Sequence, residues 1–375
     1  GALTTAGTDQ ITITVNDAAE AALNATDLST LGGKTAATAT VSNAVVISGT
    51  QAQVTAALVT AETKVTAANA LVTVSDADAV NLNAEDLSAI GGATGGTVTV
   101  SNAVNIQGTQ AQVTAALVTD DTKVVAANAT VALDDGETPS ITQLNNIAAA
   151  AGVVTASLAA NSLSNLGALT TAGTDQITIT VNDADAANLN AEDLSALGGK
   201  TAATVTVSNA VNIQGTQAQV TAALVTDDTK VVAANATVAL DDGETPSITQ
   251  LNNIAAAAGV VTASLAANSL SNLGALTTAG TDQITITVND AAEAALNATD
   301  LSTLGGKTAA TATVSNAVVI SGTQAQVTAA LVTAETKVTA ANALVTVSDD
   351  DAVNLNAEDL SAVSYTHLRA HETHE

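Results

Sequence analysis

The side chains best suited to chemistry in this sequence are carboxylates that recur in small clusters at expected turns. Asp and Glu number 36 against 8 Lys and Arg, which gives a net charge of −28. Calcium takes about six to eight oxygen ligands, and acidic turns can supply several of them. The weak calcium candidates are Asp76, Asp78, Asp134, Asp135, Glu137, Asp241, Asp242 and Glu244. Val80 departs from the EF-hand pattern that starts at Asp76, so the preferred interpretation is solvated turn acids that keep the chain soluble.

The sequence lacks most of the side chains that enzymes use as nucleophiles, acids and bases. The sequence has no Cys, and its three His are confined to the C-terminal tail, at His367, His371 and His374. A Ser–His pair, a His-based acid or metal ligand and a thiol nucleophile are therefore all excluded from the rest of the chain. We predict a protein without a catalytic site or cofactor, with calcium as the one ligand left open.

The charge and the hydropathy pattern also limit the partners. A strongly negative surface repels nucleic acid and anionic lipid. No apolar run approaches the ~18 residues that a membrane-spanning helix needs. The expected partners are neighbouring repeats of the same chain, with no nucleic acid and no membrane insertion, and the partner of the parent protein is unknown.

The elements that position these groups must be built from small aliphatic residues. The sequence has no Phe, Trp or Met and only one Tyr, yet 47% of its residues are hydrophobic. This aliphatic content argues against disorder. A core made of Ala, Val, Leu and Ile is thin, and thin cores are typical of repeat proteins, whose units pack only on their neighbours.

Long internal repeats dominate the chain. Residues 1–89 recur at 274–362 with one difference, in which Ala77 becomes Asp350, and residues 97–183 recur unchanged at 204–290. A shorter motif, Thr-Val-x-Asp followed by Leu-Asn-Ala-x-Asp-Leu-Ser, recurs within these units. Its first Asp is Asp17, Asp76, Asp183, Asp290 or Asp349. We predict one repeat domain over 1–362, a piece of a longer protein that is open at both ends.

Within a unit the pattern predicts strand, Asn turn, strand and helix. Residues alternate in Thr97-Val98-Thr99-Val100, which indicates a strand. Thr109 and Gln112 form a capping box at a helix start, and Val113, Ala116 and Leu117 lie on one face of that helix. The box recurs at Thr50, Thr216 and Thr323, and a Ser-x-x-Gln box follows Pro139. A second type of helix begins after Asn83, and we expect Gly91-Gly92 to end it in the left-handed conformation.

The fold class predicted is α/β, an elongated tandem-repeat solenoid with coils of about 26–33 residues, short parallel strands and short helices. Ten or so coils stacked ~4.8 Å apart would give a rod about 50 Å long. The alternative, a chain of small separate beads, is disfavoured because units this short do not fold alone. The recurring Asn, such as Asn43 and Asn102, either bonds to the adjacent coil or merely tolerates the turn, and both interpretations stay open.

The repeat region resembles the repeat tracts of giant secreted, repeat-rich surface proteins and adhesins of marine bacteria and cyanobacteria. The resemblance rests on acidic, Cys-free, aromatic-poor Thr/Ala/Val repeats over 1–362. It implies an extracellular or cell-surface location and a structural role as a spacer or stalk segment. The alternative is a calcium-binding adhesin module, with ice or glycan binding less favoured. Ice binding would need unbroken Thr rows, and Lys-Val-Val-Ala-Ala-Asn segments interrupt the Thr-x-Thr pairs.

The C-terminal string departs from every other copy of the repeat. Where those copies continue with Gly-Gly, Val363 is followed by Ser-Tyr-Thr-His-Leu-Arg-Ala-His-Glu-Thr373. This string resembles a translated sequencing adapter of the kind found in metagenomic assemblies. We therefore expect residues 363–375 to be an artefact and disordered, and we assign no zinc site to their His residues.

Amplifying the native genomic DNA across codon 363 tests this interpretation. We expect Gly-Gly and a further repeat in place of the string, because the motif continues in that way elsewhere in the chain. Recovery of the Tyr-Thr-His-Leu-Arg codons from native DNA would contradict it.

Overall fold

The computed structural model describes residues 3–63, 65–119, 121, 124–226, 231–336, 338–350 and 353–368. The chain divides into two compact units. Unit 1 contains residues 1–160, 164–180 and 199–204, and unit 2 contains residues 161–163, 181–198 and 205–375.

The strands are short, from two to ten residues. In chain order they are β1 Ile13–Val15, β2 Ala22–Asn24, β3 Ala39–Val41, β4 Val46–Gly49, β5 Val65–Thr66, β6 Leu71–Val74, β7 Asn81–Asn83, β8 Val98–Val100, β9 Asn105–Gly108, β10 Val124–Leu133, β11 Ala151–Ser157, β12 Gln176–Val181, β13 Asn188–Asn190, β14 Val205–Val207, β15 Asn212–Gly215, β16 Val231–Leu240, β17 Ala258–Ser264, β18 Gln283–Val288, β19 Ala295–Asn297, β20 Ala312–Val314, β21 Val319–Gly322, β22 Val338–Thr339 and β23 Leu344–Val347.

The α-helices are equally short, from four to twelve residues. They are α1 Ala25–Gly32, α2 Gln51–Leu58, α3 Ala84–Gly92, α4 Gln110–Leu117, α5 Ile141–Ala150, α6 Leu163–Leu166, α7 Ala191–Gly198, α8 Gln217–Leu224, α9 Ile248–Ala257, α10 Leu270–Leu273, α11 Ala298–Gly305, α12 Gln324–Leu331 and α13 Ala357–Leu368. Helices of this length are marginal in water by themselves, so packing on their neighbours must hold them.

In unit 1 the strands form three parallel rows. One row is β1–β3–β5, the second is β2–β4–β6–β8–β10, and the third is β7–β9–β10–β11–β12. The long strand β10 belongs to two rows, because its first residues pair with β8 and its last residues pair with β9. The predicted α/β class with short parallel strands and short helices is therefore confirmed.

Unit 2 contains four rows of the same parallel kind. Its rows are β14–β16, β13–β15–β16–β17–β18, β18–β20–β22 and β19–β21–β23, and every pairing is parallel. Strand β16 joins two rows in the same manner as β10. We call the chain segment from one strand to the next strand of the same row a module.

The predicted coil length of about 26–33 residues agrees with the module length only at its lower bound. The modules are otherwise shorter than predicted. The shortest modules include the one that joins Thr155 to its partner Gln176, and the longest include the one that joins Val98 to its partner Val124. The upper estimate rests on the separation of Asn69 from Asn102. Those two residues do not occupy equivalent places, because an additional strand, β7, lies between them.

Strand alternation decides which side chains reach the core. Val98 and Val100 are buried, whereas Thr99 between them is exposed. The largest buried side chains are all aliphatic and include Ile47, Leu87 and Ile106. The alternation predicted for this segment is therefore confirmed.

The predicted helix starts are also confirmed. Thr109 accepts a hydrogen bond from the Gln112 backbone N–H while the Gln112 side chain accepts from the Thr109 N–H. The same box is present at Thr50, Thr216, Thr323, Ser140 and Ser247. Val113, Ala116 and Leu117 are buried, as their spacing predicts.

The glycine pairs serve a different purpose from the one expected. Gly91 and Gly92 are not among the residues with positive φ, and helix α3 continues through both of them. In unit 2, a close approach explains the first glycine of the equivalent pair, Gly305. A Cβ on Gly305 would collide with the Thr336 carbonyl oxygen, so only glycine lets α11 meet this backbone. At Gly305, close packing rather than a left-handed helix end requires the glycine.

The recurring Asn side chains bond to the neighbouring module. Asn43 donates to the Asp17 carbonyl at 2.6 Å, and Asn102 donates to the Asp76 carbonyl at 2.5 Å. Asn209 and Asn316 make the equivalent bonds in unit 2. Of the two interpretations, the bonding one is therefore correct at these four positions. Asn128, in contrast, lies inside β10 rather than at a strand end, because two short strands merge there.

The C-terminal segment differs from the disorder expected after Val363. Helix α13 runs from Ala357 to Leu368, so residues 363–368 form its last turns. The Asn356 side chain accepts from the Glu358 N–H and starts this helix. The remainder of the expected artefact, residues 369–375, lies outside the described residues.

The alternation around β8 allows a paired test of the core. Val100→Asp should destabilise the fold by about 3 kcal/mol or more, since it buries an unpaired charge. Thr99→Asp, on the exposed face, should change stability by less than about 0.5 kcal/mol. Urea unfolding of both variants measures the difference, and equal losses would contradict this placement of the core.

Candidate functional site

The acidic turn that follows a central strand contacts the start of a helix in the preceding module. Asp76, just after β6, accepts the backbone N–H of Gln51 at 2.7 Å, and Gln51 is the first residue of α2. Asp349 makes the same bond to Gln324 at the start of α12. Asp183 and Asp290 accept from Leu163 and Leu270, the first residues of α6 and α10.

A second type of acidic turn performs the same task. Glu137 accepts the N–H of Gln110, the first residue of α4, at 3.1 Å. Glu244 accepts the N–H of Gln217, the first residue of α8, at 3.0 Å. Both turns contain a glycine with positive φ, Gly136 at 86° and Gly243 at 88°, which brings the Glu back toward the helix.

Together, these six carboxylates cap helices that belong to other modules. The first N–H groups of a helix have no partner within the helix, and the helix dipole makes that end partly positive. A carboxylate there makes a charge-assisted hydrogen bond, which is stronger than a bond between neutral groups. The acids therefore bond these six helix starts to the adjacent module, a role that sequence analysis missed.

The calcium candidates do not gather into a metal-binding cluster in the part of the chain that the structure describes. Asp76, Glu137 and Glu244 accept the helix N–H groups described above. Asp78 accepts the Ala103 N–H at 3.0 Å. The remaining candidates are exposed at their turns: Asp134, Asp135, Asp241 and Asp242.

Two buried carboxylates were not found from the sequence. Asp175 is 3% exposed, and its two oxygens accept the N–H groups of Val154 and Ala172, each at 2.7 Å. Asp282 makes the equivalent bonds in unit 2. The sequence feature that could have revealed them is the Ala-Gly-Thr-Asp motif. Its Asp side chain can accept the backbone N–H of the residue three positions earlier. These acids join a turn to the strand of the preceding module.

Four copies of the short motif contain a non-glycine residue with positive φ three positions after their first Asp. The four residues are Glu20, Ala79, Ala186 and Glu293. This conformation costs roughly 1–2 kcal/mol for a residue with a Cβ. Each of the four donates its N–H to the following module, as Ala79 does to the Ala103 carbonyl at 2.8 Å. Contacts between modules therefore hold this strained conformation.

Threonine rows form on the exposed faces of the strands, but they are interrupted. Thr14, Thr40 and Thr66 lie in register, and Thr66 donates to Thr40 at 3.3 Å. In the next row Thr99 pairs with Val125, which is 50% exposed. In unit 2 a second Thr pairs with a Val in the same way, at Thr206 and Val232. The expected break in the threonine array is confirmed at both places.

One surface cleft in unit 2 has a volume of about 530 Å³. Its lining includes Asp290, Asn297 and Lys307. Asp290 already accepts the Leu270 N–H, and the Asn297 side chain accepts the Thr299 N–H at the start of α11. These two polar side chains of the cleft are thus engaged in capping helices.

Comparison with known proteins gives no match of any kind: no family model fits the chain, and searches of curated proteins and of solved structures find no similar protein. Among the described residues, no helix combines the length and the apolar character needed to cross a membrane.

Removing one capping carboxylate tests its structural role. Glu137→Ala should destabilise the chain by about 1 kcal/mol, because it removes the acceptor at the start of α4. Asp135→Ala, two positions earlier in the same turn and exposed, is the matched control and should leave stability unchanged. Both are measured by urea unfolding without added metal, and equal losses in the two variants would exclude capping as the role of Glu137.

Proposed function

We propose that this chain is a structural spacer, a non-catalytic stalk segment of a large secreted or cell-surface repeat protein, folded as an elongated solenoid. The observation that carries the proposal is the placement of the capping acids. Six carboxylates accept the first backbone N–H groups of helices in adjacent modules.

The backbone contacts support a stack of coils, with one module in each coil. Within each unit, successive strands of a row pair in parallel, so the strand of one module supplies hydrogen-bond partners for the next. Asn43 and Asn102 add side-chain bonds to the adjacent module. A module of this size buries too little apolar surface to fold alone, which makes its neighbours obligatory.

The surface suits a long soluble polymer. A net charge of −28 keeps chains apart by repulsion. The exposed acids at Asp134 and Asp135 add to this field without contributing to the core. The extracellular or cell-surface setting rests on the compositional resemblance to repeat-rich surface proteins.

Removal of calcium distinguishes the spacer from a calcium-binding adhesin module. A ligand that binds only the native state adds about 2.7 kcal/mol of stability at a hundredfold excess over its Kd. We expect the Tm in millimolar calcium and in EDTA, at matched ionic strength, to agree within a few degrees. A rise of about 10 °C or more with calcium would replace the spacer with a calcium-rigidified stalk.

Lengthening the chain tests the solenoid. Residues 204–310 complete one long repeat, and in unit 2 four strand-to-strand steps lead from Val205 to Ala312. Inserting a second copy of this repeat should increase the maximum dimension by about 19 Å, from four steps of about 4.8 Å. Small-angle X-ray scattering of both chains measures the increment. An unchanged dimension, or an increase of about 40 Å or more as expected for a linked separate bead, would contradict it.

A further inference from the structure

Two glutamine side chains of this chain bind to the edge of a strand. Gln51, the first residue of α2, places its carboxamide against Asn83, the last residue of β7. Its Oε1 accepts the Asn83 N–H at 3.1 Å, and its Nε2 donates to the Asn83 carbonyl at 2.7 Å. Gln324 makes the same two bonds with Asn356, at 2.9 Å and 2.6 Å. A carboxamide offers both a donor and an acceptor, so it satisfies both backbone groups of the strand edge at once.

These glutamines bind the strand edge in preference to a closer partner. In α4 the equivalent residue, Gln110, donates to the Thr114 hydroxyl one turn later, at 2.7 Å. Thr55 and Thr328 hold the place of Thr114 in α2 and α12. Their hydroxyls are buried and, within the described residues, have no hydrogen-bond partner. A buried hydroxyl without a partner is unfavourable. The strand edge is therefore the preferred partner of the carboxamide wherever the two compete.

A strand edge of the same kind in unit 2 has a leucine in place of the glutamine. Strand β19 is the edge strand of the row β19–β21–β23. Its last residue, Asn297, caps α11 as Asn83 caps α3. Leu270 holds the place of Gln51, because the N–H of each donates to the first Asp of the short motif that follows. A leucine side chain supplies no donor and no acceptor to the edge of β19.

The backbone of Asn297 faces the cleft described above. The Val319 N–H donates to the Ala294 carbonyl, which sets the alternation of bonds between β19 and β21. In a parallel pair, alternate residues of a strand bond to a given neighbour. Leu296 therefore bonds to β21, and Asn297 directs its N–H and carbonyl toward the opposite edge. The cleft of about 530 Å³ lies there, with Asn297 and Leu270 in its lining, and its volume is within the range of small-ligand sites.

We propose that this cleft binds the side-chain carboxamide of a glutamine carried by a partner polypeptide. The Asn297 N–H donates to the carboxamide oxygen, and the Asn297 carbonyl accepts from the carboxamide nitrogen, as Asn83 does with Gln51. Leu273 and Leu304 also line the cleft and give the methylene groups of the glutamine an apolar surface. The site goes beyond the spacer function and does not depend on it, because it needs only α10, β19 and α11.

Charge and hydrogen-bonding capacity select glutamine as the occupant. Asp290 and Asp300 line the cleft of a chain with a net charge of −28, so a glutamate side chain is repelled. A lysine side chain has donors but no acceptor for the Asn297 N–H. The α-carboxylate of free glutamine meets the same two acids, whereas a glutamine within a polypeptide has none. A peptide-borne glutamine is also what binds the equivalent edge at Asn83.

Fluorine NMR beside the cleft tests the site on the full 375-residue chain. The sequence has no Cys, so Thr303→Cys, at an exposed lining position, accepts a single trifluoromethyl label. The probe is a peptide of residues 48–52, Ser-Gly-Thr-Gln-Ala, with an acetyl group and a C-terminal methylamide, so that its only primary carboxamide is that of the Gln. The fluorine signal should shift saturably at millimolar peptide, because one side chain supplies the contacts. A label on Thr313→Cys, exposed but outside the lining, is the matched control and should not shift.

Two substitutions identify the groups that bind. Leu270→Gln in the labelled chain should abolish the shift, because the new side chain supplies the carboxamide as Gln51 does. Replacing the Gln of the peptide by Met, which is similar in length, should weaken binding at least about tenfold through the loss of two hydrogen bonds. Thermal unfolding verifies that each chain variant folds, and the Met peptide tests the site without altering the chain.

Four results would overturn the proposal. The first is no saturable shift at about 10 mM peptide. The second is equal binding of the Met peptide, and the third is an unchanged shift in folded Leu270→Gln. The fourth is binding of free glutamine as tight as that of the peptide, since the occupant is then a small molecule rather than a partner polypeptide.

Discussion

In a parallel sheet, each interior strand bonds to one neighbour with half of its backbone groups and to the other neighbour with the rest. That constraint organises each unit, because strands such as β4 and β21 are only four residues long and pair on both edges. A module removed from its neighbours would leave both edges unsatisfied and expose a core of small aliphatic residues. Burial of Ile47 or Ile106 is therefore a consequence of pairing along the rows.

The acidic residues add side-chain bonds to this pairing between modules. Asp76 and Glu137 stand on different turns, yet both accept the first N–H of a helix about one module earlier. The first acidic position is Asp in all five copies of the short motif, whereas the position two residues later is Asp78 in one copy and Ala19 in another. The difference follows from the roles in the fold: the first acid bonds to a helix start in four of these copies, and the second adds only a bond to a turn. The same carboxylates that cap helices also contribute to the net charge of −28.

Identical segments of this chain lie in different surroundings, so comparing them shows how the surroundings change burial and strand length. Ile11 and Ile284 lie in identical segments, yet one is 36% exposed and the other is buried. The difference comes from the preceding module, since β17 covers β18. The length of the strand changes with it, from three residues in β1 to six in β18. Secondary structure in such a chain is thus partly a property of the neighbouring module, as expected when the interface between repeats dominates stability.

The sequence by itself determined the local features: the α/β class, the capping boxes at Thr109 and its copies, and the alternation around Val100. Each of these depends on residues close in the chain or on a short period. Only the tertiary structure decided the module length, the bonds of Asn43, the close approach that requires Gly305 and the partners of the acids. From the sequence, Asp76 is interpreted as a solvated turn acid or a calcium ligand. The structure instead pairs it with the Gln51 N–H, a partner that is distant in sequence and belongs to another module.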